Sequence, residues 1–152
     1  MKPHCAWIID YLDSFGKIPN DPSSSQLAFH VEYDLLDNNL KIIHCDAAFK
    51  PSEHIVGIGG VVGSSFGQLL ASLCEFRTFS GNMLCVEAFT VLEGFCLAER
   101  MGLSHLLILS DSLMLIQILM GLYASQVGMA NFFADIKQLI ACFVSVSFQH
   151  VP

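Results

Sequence analysis

Three acidic residues stand where solvation is a poor explanation for a carboxylate. Asp46 ends an otherwise apolar run, Glu87 falls on the apolar side of a helical pattern, and Asp111 follows residues 106–109, the most hydrophobic segment. Each alone has a structural explanation. An Asp at a strand end caps the next turn, Asp111 with Ser112 can start a helix, and a helical Glu is usually solvated. Taken together they imply more, because three carboxylates in one partly buried place repel unless a divalent cation neutralises them. Hard oxygen donors suit Mg²⁺ or Mn²⁺. Two such ions ~3.5–4 Å apart are the device that hydrolyses phosphodiesters.

The elements needed to position these acids can be read from periodicity. Residues 40–47 form a strand pattern with Lys41, Ile43 and Cys45 on one face and Ile42, His44 and Asp46 on the other. Residues 55–62 are a β-branched and glycine run, and Ser64 to Gly67 turn it into a third strand over 68–77. The period then changes. Residues 83–101 set Glu87, Val91, Gly94 and Ala98 on one helical face, with Gly102 as the stop. Residues 106–109 suit a central parallel strand. Helices follow over 113–120, stopped by Gly121, and over about 130–143, before a last strand at 144–148. The order is βββαβααβ. A sheet whose first strand is central and whose fourth lies beside it makes Asp46 and Asp111 neighbours, and the long helix lowers Glu87 between them.

Composition limits the alternatives. The 152 residues suffice for one domain of ordinary size. A hydrophobic share of 53%, a charged share of 14% and a mean hydropathy of +0.57 would suit a membrane protein or a sheet buried on both faces. The uncharged windows 54–74 and 112–134 are long enough for a span of about 20 residues, yet glycines, serines and glutamines interrupt both. No membrane segment is expected. The apolar run near the amino terminus is too short for a signal peptide. The six cysteines are scattered without ligand spacing and read as reduced thiols of an intracellular protein, in nucleus or cytoplasm.

The net charge of −7 argues against a broad basic grip on nucleic acid. Residues 1–38 hold six acids and two lysines, so their −4 exceeds the −3 of the remainder. Residues 1–39 accordingly read as an amino-terminal helix and acidic linker, and 40–152 as the domain. His44 reads as packed, Gly59 and Gly60 as strand packing without a complete phosphate loop, and Phe132, Phe133 and Phe143 as core.

With these elements in order, the sequence over 40–152 resembles the ribonuclease H fold. The likeness is to the plant ribonuclease H-like domain found in reverse-transcriptase-derived, retroelement genes. It is carried by Ile42 to Ser52, Gly57 to Val62, Val86-Glu87-Ala88 with Leu92-Glu93-Gly94, Gly102 to His105 with Ser110-Asp111-Ser112, Val144 to Phe148, and His150-Val151-Pro152. The resemblance implies an α/β fold with a mixed five-stranded sheet in the order 3-2-1-4-5, strand 2 antiparallel, and flanking helices. It implies that Asp46, Glu87 and Asp111 are catalytic metal ligands for Mg²⁺ or Mn²⁺. His150 matches the family histidine that helps proton transfer, and Asn82 and Ser112 lie near positions that touch the RNA strand. The activity implied is endonucleolytic, Mg-dependent hydrolysis of RNA in an RNA/DNA hybrid, recognised by shape and 2′-hydroxyls.

Departures from the family pattern qualify that expectation. Ala47 stands where a Gly is common. The fourth family carboxylate is expected on a helix about ten residues beyond His150, and the sequence stops two residues after it, so weak binding of a second ion is expected. A missing carboxyl-terminal helix would also expose apolar surface suited to self-association. Lys41, Lys50, Arg77, Arg100 and Lys137 are dispersed, so hybrid binding is expected to be weak. The alternative is a catalytically inactive interaction module of the same fold. An unrelated α/β domain with its acids far apart is the third reading.

Overall fold

In a computed structural model, residues 39–125 and 128–152 are described. The amino-terminal helix and linker expected at the start of the chain lie outside this range, apart from Asn39. Five strands, β1 (Leu40–Lys50), β2 (Ile55–Ser64), β3 (Leu69–Thr78), β4 (His105–Ser110) and β5 (Ser145–His150), form one sheet in the order β3-β2-β1-β4-β5. Strand β2 runs antiparallel to β1 and β3, whereas β4 is parallel to both β1 and β5. This is the sheet the sequence implies. Its helices are α1 (Met83–Arg100), α2 (Leu113–Leu119) and α3 (Ala130–Ile140).

Both sheet faces are buried, which accounts for the high apolarity. Ile43 and Cys45 of β1 join Leu106 and Ile108 of β4 under Val91, Phe95 and Ala98 of α1. Strand alternation puts Leu107 and Leu109 on the opposite face, and they too are almost fully buried. Helix-stopping glycines work as the sequence suggests. Gly102 takes a left-handed φ of +68°, its N–H donates to the Glu99 carbonyl, and the Leu103 N–H donates to that of Ala98. Gly121, at φ +77°, ends α2 in the same way.

Gly94 sets the distance between helix and sheet. A Cβ there would lie 2.8 Å from Cys45 Sγ and 3.4 Å from Ile43 Cγ2. Gly94→Ala should therefore destabilise the fold by about 1–3 kcal/mol, despite the better helix propensity of alanine. Urea unfolding of the variant, and its relief when combined with Cys45→Ala, would check the contact.

Two expectations need correction. Cys45, Cys85, Cys96 and Cys142 are free, but Cys74 is disulfide-bonded, so the cysteines are not uniformly reduced thiols. The large exposed apolar side chains include Leu69, Leu70 and Phe76 on edge strand β3, Leu113, Met114 and Met120 at α2, and Val144 before β5. Self-association draws no support from these exposures alone. Among the described residues, no helix is long and apolar enough to cross a membrane.

Candidate metal centre

The sheet register brings two of the acids together. Parallel pairing of β1 with β4 runs from Leu40↔His105 to His44↔Leu109, two residues short of Asp46 and Asp111, and Asp111 acts electrostatically on Asp46. Helix α1 supplies the third. Val86 packs with Val56 and Ile58 of β2, against Ala47 of β1, which holds the first turn of α1 over the part of β1 that carries Asp46; the strand does not end there, as the sequence suggests, but runs on to Lys50. Glu87 follows Val86.

The three carboxylates share one field. Burial pushes Asp46 above the ordinary carboxylate range, with Asp111 adding to the rise, while the Ala47 N–H and His44 oppose it. Burial also raises Glu87, where a hydrogen bond from Ser112 opposes the rise and the charges of Asp111 and Asp46 reinforce it. His44, on the same face as Asp46, is lowered by burial against the pull of Asp46 and Asp111. This suits a packed, neutral imidazole.

Two raised acids have a consequence for stability. Each holds its proton more tightly in the folded than in the unfolded chain, so stability falls as pH rises from the ordinary carboxyl range through the raised values. In metal-free buffer the thermal midpoint should drop across that window. Glu87→Gln should flatten the drop, and scanning calorimetry at stepped pH reads both.

Oxygen donors of this kind suit a hard divalent cation in chemistry. Their present arrangement is not a finished ligand set: among the described residues, no group of three or more His, Cys, Asp or Glu side chains is placed to hold a metal ion. Asp46 Oδ1 accepts the Ala47 N–H at 2.8 Å. A carboxylate has about four lone-pair positions, so this bond leaves Asp46 capacity for a cation.

The remaining predicted site residues also have partners. His150 ends β5 opposite Ser110, and its Nε2 lies 3.1 Å from the Asp111 carbonyl oxygen. A carbonyl only accepts, so this bond requires the tautomer with a proton on Nε2. Asn82 caps α1, its Oδ1 accepting the Cys85 N–H at 2.9 Å. Ser112 caps α2, accepting the Leu115 N–H at 3.3 Å. Sequence reasoning passed over Ser110, a buried hydroxyl whose Oγ accepts the Ser112 N–H at 3.2 Å. Its signal was the Ser-Asp-Ser spacing around Asp111. Cations are few near these groups: Lys50 pairs with Glu53, and Arg77 with Glu75 and Glu93.

Comparison with known proteins agrees with this architecture. No curated protein matches the chain in sequence. Ribonuclease H1 from the halophilic archaeon Halobacterium salinarum NRC-1 superposes with a TM-score of 0.69 at 18% identity, over 74% of this chain and 86% of that one. The amino-terminal ribonuclease H domain of Rv2228c from Mycobacterium tuberculosis gives 0.68 at 18%, over 74% and 82%. LC11-RNase H1, solved in complex with an RNA/DNA hybrid, gives 0.66 at 18%, over 74% and 85%. These likenesses establish the ribonuclease H fold. Residues 44–152 also match the family described as reverse transcriptase-like. That match spans most of the chain, and the protein belongs to the reverse transcriptase-like family, built on a ribonuclease H fold.

Proposed function

We propose that this domain binds RNA/DNA hybrids and hydrolyses their RNA strand in a Mg²⁺- or Mn²⁺-dependent reaction. The observation that supports the reading is electrostatic: Asp111 raises both Asp46 and Glu87, and Asp46 also raises Glu87, although the three come from separate parts of the chain. A relative of the same fold has been solved with such a hybrid, which supports this substrate class. We read the domain further as the plant, retroelement-derived type that its motifs resemble, working inside the cell.

Asp46, Glu87 and Asp111 would hold the cation. When bound, the ion supplies charge stabilisation at the phosphate and a nucleophile at neutral pH. The protein's own part is positional. The Ala47 N–H steadies Asp46, and the His150 ring ties down the backbone of Asp111. His150 is suited to hold a proton near the leaving oxygen only after its bond to the Asp111 carbonyl is released. Substrate would be gripped through hybrid shape rather than a basic patch, so binding should be weak and salt-sensitive.

Hybrids labelled on either strand, and duplex DNA, incubated with the protein and Mg²⁺ test the assignment. RNA-strand cleavage alone is expected; cutting of the DNA strand at a similar rate would contradict it. The second reading is a catalytically inactive interaction module of the same fold. It predicts hybrid binding without turnover.

A further inference from the structure

We propose that residues 1–38 lie across the sheet face turned away from α1 and are fastened there by a disulfide between Cys5 and Cys74.

The partner of Cys74 follows by elimination. The sequence has six cysteines. Cys74 is disulfide-bonded, whereas Cys45, Cys85, Cys96 and Cys142 are free, which leaves Cys5. Reach is no obstacle. Residues 6–39 separate Cys5 from β1, a length that extends to roughly 100 Å. From β1 to β3 is two strand spacings, roughly 10 Å.

Register fixes the face on which the bond stands. Cys74 pairs with Gly59 and Gly59 with Asp46, so Cys74 belongs to the face of His44 and Asp46. On that face His44 stands between Val61 of β2 and Leu109 of β4. Val61, Leu107 and Leu109 are only 8%, 0% and 1% exposed. The helices lie on the other side: Phe95 of α1, Leu115 and Ile118 of α2, and Phe133 and Ile136 of α3 all join the core around Ile43 and Ile108. Among the described residues, Val61, Leu107 and Leu109 belong to neither core cluster. Another part of the chain must cover them. The run Cys5-Ala6-Trp7-Ile8-Ile9 has the apolar character that such a cover needs, and it starts at the cysteine the bond pins.

Cutting the unreduced, full-length chain after glutamate separates residues 1–32, which hold Cys5 as their one cysteine, from residues 54–75, which hold only Cys74. Mass spectrometry should find these two peptides joined. Dithiothreitol should part them, its two thiols closing to a cyclic disulfide while Cys5 and Cys74 each take up a proton. A free Cys74, or one joined to a second copy of the chain, would overturn the pairing. Trp7 is the sole tryptophan, so its fluorescence reads the docking. In the linked chain its emission should be blue-shifted and its quenching by acrylamide several-fold weaker than that of free tryptophan. Val61→Asn, which puts a polar side chain beneath the cover, should shift the emission back to the red with the linked peptides still recovered. Emission like that of free tryptophan in the native linked chain, or emission indifferent to Val61→Asn, would overturn the docking.

Discussion

Asp46→Asn should lower hybrid cleavage by roughly 10²- to 10⁴-fold, the rate equivalent of the several kcal/mol a cation contributes to transition-state charge. The fold should survive. Asparagine has the same shape, and its side-chain oxygen can still accept the Ala47 N–H that Asp46 Oδ1 accepts at 2.8 Å. What disappears is a negative charge that burial and Asp111 already disfavour. The metal-free variant should therefore unfold at a higher temperature than the native chain near neutral pH, even as it loses activity. Opposite signs in the two measurements mark an acid kept for function rather than for stability. Equal cleavage by native and variant chains would remove Asp46 from the mechanism.

Phe95→Ala should have the largest effect on stability, a loss of about 3–5 kcal/mol. Phe95 is fully buried on the sheet-facing side of α1. Its ring lies 5.7 Å from that of Phe143 and 6.3 Å from that of Phe148, so one side chain joins α1, the end of the α3 segment and β5. Domains of this size are stable by about 5–15 kcal/mol, so the variant would approach the limit of folding. Its melting temperature should fall by roughly 10–20 °C, read by circular dichroism. Phe132→Ala, at a partly buried position on the same core, should cost less. A fall no larger than that of Phe132→Ala would contradict the packing described.

Much of this arrangement was legible in the chain because it follows from local periodicity and turn chemistry. Alternation over Ile43 to Asp46 assigned the two faces of β1, and Gly102 and Gly121 marked two helix ends by the left-handed conformation they adopt. The limits lay where non-local pairing decides. Strand β1 continues to Lys50, past the expected end at Ala47, because its ladder with β2 runs on to Lys50↔Ile55 before the turn Pro51–Glu53. Helix α3 stops at Ile140 rather than Phe143, since the Cys142 and Phe143 N–H groups bond three residues back, to Leu139 and Ile140. That tighter turn delivers Phe143 to Phe95.

The candidate site divides in the same way. Apolar surroundings were enough to single out Asp46, Glu87 and Asp111. Their mutual influence was hidden, because nothing local shows that Asp46 and Asp111, far apart in the chain, both act on Glu87. The same holds for His150, whose ring meets a backbone carbonyl and not a side chain.

The central claim, that three acids from β1, α1 and the end of β4 form a cation-dependent nuclease site, is tested most directly by Mg²⁺ titration of RNA-strand cleavage in a labelled hybrid, followed by chelation. Cleavage that rises with Mg²⁺ and stops on chelation is the predicted result. No cleavage at any Mg²⁺ concentration, or cleavage indifferent to the chelator, would contradict it.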